Sequence, residues 1–155
     1  MSDTFTVHRS TSIDAPLANI YRHIVDLHRM GEWSPWEEID PAMEKTYSGA
    51  ESGVTARYEW NGNRKVGRGS LEITDAKENE RVEMALEFLK PFKASNTTSF
   101  ALQPRGDATT VTWSMTGRNT LMTRVIGIFK SMDAMVGPDF ERGLAKLKSL
   151  VEARS

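Results

Sequence analysis

Three histidines, a short acidic run and a set of aromatic, amide and hydroxyl side chains at strand spacing are the residues through which this chain could act on another molecule. His8, His23 and His28 form no HxxxH or HExxH pair, the spacing that would aim two imidazoles at one metal from a single helix face. All three read as solvated. Cysteine is absent, which excludes thiol catalysis, thiolate metal sites and disulfides. No serine lies in a GxSxG turn, and the Gly67-Arg68-Gly69 segment lacks the rest of a phosphate-cradling loop. Glu37, Glu38 and Asp40 gather beside Trp33 and Trp36, where a solvated loop is the expected reading ahead of general acid/base work. No catalytic residue is assigned, and neither a metal nor a cofactor is expected.

Composition narrows the partners. The 20 basic and 21 acidic residues are interspersed and leave a formal net charge of -1, so no face is marked for nucleic acid or an anionic bilayer. The segment "MSDTFTVHRS" has no secretory apolar run, and no stretch reaches the roughly 20 apolar residues of a membrane span. A cytoplasmic protein without stable membrane insertion is expected. The length of 155 residues suits one domain over 1–155.

The elements that must position these residues follow from periodicity. Phe5, Val7 and Ile13 share strand parity, in a strand whose middle is polar on both faces. Leu17, Ile20, Tyr21 and Ile24 recur at helical spacing after Pro16, and Asp26 suits the cap of a second short helix ending at Gly31. From about Met43 to Thr116 the pattern is strand after strand. Val54, Ala56, Tyr58 and Trp60 alternate with Thr55, Arg57 and Glu59; Gly67, Gly69, Leu71 and Ile73 follow, then Val82, Met84, Leu86 and Phe88. Asn96, Thr98, Phe100 and Leu102 share a parity, as do Val111, Trp113 and Met115. Arg57, Glu59 and Arg68 are expected in cross-strand pairs on the outer face. The carboxyl-terminal segment keeps helical spacing from Leu121 through Val125, Ile128, Phe129, Met132, Val136, Phe140, Leu144 and Leu147 to Val151, with a kink or break expected at Gly137-Pro138. The fold class is α+β: a curved antiparallel sheet closed around a long helix.

The inward parity holds small and polar residues, Ala56, Gly67, Gly69, Asn96 and Thr98, beside large rings. One reading is a ligand cavity with apolar walls and a few orienting polar groups. The other is that the glycines are bulges and Asn96 lies at a wet edge. On the first reading the walls are Tyr58, Trp60, Met84, Phe88, Trp113, Met115, Met132 and Phe140, with Met135 as further lining and Asn96 and Thr98 giving orientation.

The order of "SIDAP", "WSPW", "YEWNGN", "VGRGSLEIT", "LEFLKPFKASNTTSF", "TTVTWSMTG" and "MVGPDFERGLAKLK" resembles the helix-grip proteins of the START/Bet v 1-like (SRPBCC) superfamily, bacterial "polyketide cyclase/dehydrase" type. The resemblance implies a curved seven-stranded sheet, two short helices after the first strand, and an apolar cavity beneath the last helix. It implies a small hydrophobic ligand of lipid, sterol or polyketide type; the alternative is a cyclase/aromatase or dehydratase acting in the same cavity. A protein-interaction domain like the superfamily's co-chaperone branch is a third option. In such a fold Trp33 would pack inward against the helix pair and Trp36 would stand at the cavity entrance, or both would simply seal a corner.

Overall fold

Alternation of apolar and polar residues becomes one antiparallel sheet in the computed structural model, which describes residues 4–36, 40–63, 66–90, 93–118 and 132–153. The acidic residues Glu37 and Glu38 and the apolar positions Leu121, Val125, Ile128 and Phe129 lie outside these residues, as do the side chains of Met132 and Met135. The strands are β1 (Thr4–Ile13), β2 (Glu44–Ser48), β3 (Arg57–Asn61), β4 (Arg68–Lys77), β5 (Arg81–Lys90), β6 (Ala94–Arg105) and β7 (Ala108–Arg118). They form a seven-stranded sheet in the order β1-β7-β6-β5-β4-β3-β2. Strands β2 to β7 follow one another as a meander, and β1 closes onto β7 with Val7 opposite Met115 and Thr11 opposite Val111. Asn79 and Gly106, both at positive φ, turn the β4–β5 and β6–β7 hairpins, where amide and glycine residues tolerate the left-handed backbone.

Helices α1 (Leu17–Val25) and α2 (Leu27–Met30) follow β1, and α3 (Met132–Ala153) lies across the sheet's inner face. Asp26 caps α2 by accepting the His28 N–H at 3.0 Å, and Gly31 ends it, as their positions predict. Phe140, Leu144, Leu147 and Val151 recur on one face of α3 and are buried with Val7, Ile73, Phe100 and Val111 from the sheet.

Three expectations change. Strand β3 starts at Arg57, not Val54: Thr55 takes a positive φ and its N–H bonds to the Ile73 carbonyl, so the alternation breaks and Val54 is left exposed. His23 is buried, because it lies three residues from Ile20 and next to Ile24, inside the stripe that α1 turns toward the core. The break allowed for at Gly137-Pro138 does not occur, and helix α3 runs on through it. Its continuity there has a visible brace. Arg9, on the inner parity of β1, crosses Gly137 so closely that a Cβ would meet its guanidinium, and it pairs with Asp133 at 2.7 Å before the proline and Glu141 at 3.7 Å after it. The polar middle of β1 therefore serves α3. At the other end of α3, Lys148 donates to the Ser12 carbonyl and to Glu152, which accepts the Asp14 N–H. Arg57 pairs across the strands with Glu72 and, within its own strand, with Glu59, an exposed arrangement that contributes little.

The Arg9 hydrogen bond, with some contribution from charge, holds the Asp133 carboxyl below its usual 3.8. A carboxyl with a lower pKa folded than unfolded adds stability above the usual value and loses it as acid protonates it. Asp133→Asn should lower the thermal midpoint at neutral pH, with the difference from the parent shrinking as pH falls below 3.8. A difference that stays constant into strong acid would remove this role. A second expectation concerns Gly143, where a Cβ would stand 2.8 Å from the Trp113 ring and 3.0 Å from Pro35. An unhindered helical Gly→Ala change gains about 1 kcal/mol. Gly143→Ala should instead lose about 1–3 kcal/mol in urea unfolding through overpacking.

Candidate functional site

Trp113, in the middle of β7, organises one side of the site. Its ring stacks on Phe140 of α3 at 4.1 Å and 5° and on Phe100 of β6 at 4.9 Å. Trp33 and Trp36 approach it edge-on at 5.7 and 5.8 Å. The geometry needs Gly143, since any larger residue would strike the ring. The Trp113 indole N–H donates to the Thr98 hydroxyl at 2.8 Å, and that hydroxyl donates to the Ser114 carbonyl at 2.8 Å. Trp33 is fully buried and donates its indole N–H to the His23 carbonyl, so it packs inward against α1 as its resemblance implied.

Trp60 organises the other side. It forms a small cluster with Met43 and Val66, and its indole N–H donates to the Val66 carbonyl at 2.8 Å. Register puts Trp60 opposite Gly69, and its ring occupies the space that a Gly69 side chain would need. The hollow that the sequence suggests above Gly69 is thus filled by the protein itself. The β4–β5 register slips at Arg68/Gly69, as the bulge reading held.

Between the two clusters a partly enclosed cavity of about 180 Å³ remains. Trp36, Tyr58 and Leu86 pack against both clusters and form the seam. Of the residues selected from the sequence, Tyr58, Trp60, Met84, Phe88, Thr98, Trp113, Met115 and Phe140 border this space, and so does Trp36, half-buried. Asn96 does not: its amide lies over Gly117, where a Cβ would meet its Oδ1. Met132 lies in α3, but its side chain is outside the described residues. Sequence reasoning missed Met30, Ser34, Met43, Val66, Leu71, Leu86, Phe100, Val136 and Asp139 as lining. Leu86, Phe100 and Val136 carried the right parity or spacing. Asp139 was legible as an acid between Val136 and Phe140 on the apolar stripe of α3, at the i+3 position that shares a helix face.

The lining is carbon-rich, and most of its polar hydrogens are already used. Three indole N–H groups and the Thr98 hydroxyl donate within the protein. Among the described residues, no group of three or more His, Cys, Asp or Glu is placed to hold a metal ion. Asp40 accepts the N–H groups of Ala42 and Asn63, tying the loop before β2 to the β3–β4 turn. His23 donates from Nδ1 to the Asn19 carbonyl at 2.7 Å, leaving Nε2 buried without a partner among the described residues. Among the described residues, no helix is long and apolar enough to cross a membrane.

A family model described as polyketide cyclase / dehydrase and lipid transport matches residues 4–152. Among solved structures, a protein from Mesorhizobium loti is similar at 16% identity and a TM-score of 0.71, covering 97% of this chain and 99% of that one. The Aha1 dimer from Colwellia psychrerythraea is similar at 16% identity and a TM-score of 0.66, with 96% of each chain covered. Ara h 8.0201 is similar at 12% identity and a TM-score of 0.66, covering 97% of this chain and 99% of that one. At such identities the likeness is one of fold, the Bet v 1-like helix grip. Comparison with curated proteins gave no sequence match.

The Thr98 bridge makes a stability prediction. Thr98→Val keeps the shape but strands the buried Trp113 N–H, which should cost about 1–3 kcal/mol in urea unfolding. Thr98→Ser should keep most of the loss from appearing, and equal stability of the two variants would remove the bridge from the account.

Proposed function

The chain belongs to the polyketide cyclase/dehydrase and lipid transport family, and from that premise we propose that it binds a small hydrophobic molecule in the cavity between the sheet and α3. One observation carries the reading: aromatic and methionine walls surround an unfilled space, and the indole N–H groups of Trp33, Trp60 and Trp113 beside it are already satisfied by the protein. A guest there meets carbon surface and few competing hydrogen-bond demands. Burying on the order of 200 Å² of apolar guest surface contributes about 5 kcal/mol before association costs.

Size limits the guest. A dry cavity of roughly 150 Å³ accepts benzene, whereas pockets for drug-sized molecules begin near about 300 Å³. The 180 Å³ here suits one ring, a compact bicycle or the end of a longer chain. Met84 and Met115 give the wall flexible side chains that can adjust to such guests.

The family description also names cyclases and dehydrases, and this supports a second reading, an enzyme working in the same space. Acid–base chemistry would then draw on Tyr58 or Asp139, other protic groups on the wall besides Thr98, whose own hydroxyl donates to the Ser114 carbonyl.

Titration with naphthalene, followed by tryptophan fluorescence, tests the binding reading. Saturable binding is expected in the parent protein. Leu86→Trp, which places a ring in the seam, should weaken it by about tenfold or more while unfolding stays cooperative. Absence of saturable binding in the parent, or full affinity in a folded Leu86→Trp variant, would reject the cavity as the binding site.

A further inference from the structure

We infer that the cavity selects guests carrying a hydrogen-bond-donating head group, an amine or alcohol, and rejects carboxylates, because Asp139 stands at its polar end. This rests on the reading of the cavity as a site for small hydrophobic molecules and adds the chemistry of the guest's head.

Asp139 is the only charged side chain among the described residues that line the cavity. It shares a helix face with Val136 and Phe140, both lining residues, so α3 turns it toward the apolar space and not away from it. Its side chain is 24% exposed, against 52% for Arg142, the residue paired with it three positions on. The pair engages Oδ1, and no partner is assigned to Oδ2 among the described residues. An ionised carboxylate only accepts hydrogen bonds, so a guest completing this group must donate.

The neighbouring chain makes this one end of the cavity and not a remote rim. Pro35 lies against Gly143, one turn along α3 from Asp139, which brings the Ser34–Trp36 segment across the helix there. Ser34 borders the same space. A ring held between the Trp113 and Trp60 clusters would therefore carry its head toward Asp139 and Ser34. A carboxylate head would face Asp139 with like charge in a partly desolvated site, while Arg142, outside the lining, offsets only part of that repulsion.

Phenethylamine, phenethyl alcohol, phenylacetate and ethylbenzene share one ring and two carbons and differ at the head. Their affinities for the full chain, measured by calorimetry at neutral pH, test the inference. The amine and the alcohol should bind more tightly than phenylacetate, the amine by about tenfold or more, as expected for a charge-assisted hydrogen bond. The ratio should collapse in Asp139→Asn and widen in Arg142→Ala, which leaves the carboxylate to the guest alone. Binding of ethylbenzene with no amine-over-acid preference, or a preference that survives Asp139→Asn, would overturn the head-group assignment and leave the cavity reading standing. If none of the four binds, ethylbenzene included, the cavity reading falls and this one with it.

Discussion

Trp113 must touch the sheet, the helix and the loop after α2 at once, and the architecture of the site depends on that contact. Its face lies parallel to Phe140, so at that point β7 and α3 are held apart by a pair of stacked rings. Gly143 permits the approach, and the Thr98 hydroxyl fixes the indole's rotation by accepting its N–H. With the ring held, Trp33, Trp36 and Phe100 have only its edges and far face to pack against. A wide ring that props helix from sheet here leaves the neighbouring stretch of inner face short of material. The cavity begins where Trp113's reach ends.

The same logic applies on the far side. Trp60 folds over Gly69 and spends its bulk closing the surface of its own strands, not filling the space under α3. Two tryptophans, each committed to a local task, therefore face one another across a gap that Tyr58, Leu86 and Trp36 bridge only in part. Filling the remaining space from within would need a residue larger than Leu86 or Met84 on β5. The chain keeps flexible or medium side chains there, and the hollow follows from their size.

Much of the fold was legible because strand and helix periods are geometric. The parities through Met84 and Trp113 follow from a repeat of two, and the stripe from Phe140 to Val151 follows from a repeat near 3.6. The errors fall where a local backbone event or a long-range register intervenes. Thr55's positive φ interrupts the alternation that starts in the sequence at Val54. Which ring covers Gly69, and whether Asn96 leans into the cavity or over Gly117, depends on pairings between strands that spacing within one strand does not encode. His23 and Asp139 share a different cause: each is a polar residue beside an apolar helix stripe, where hydropathy gives no sign that the position is turned inward.

The walls of the cavity are not tied equally firmly. Helix α3 is pinned to β1 at both ends, by Arg9 near its start and by Lys148 and Glu152 near its end. Its middle is stacked on Trp113 and buried with the main core. Lifting the helix would break all of these together. The opposite boundary is slighter: Met43 and Val66 belong to a cluster of three buried residues, and the loops that carry them are joined by the Asp40 carboxylate to the Asn63 N–H at 2.8 Å. Among the described residues, α3 is therefore the firmly tied wall of the cavity, and the side formed by Met43 and Val66 is held by fewer contacts.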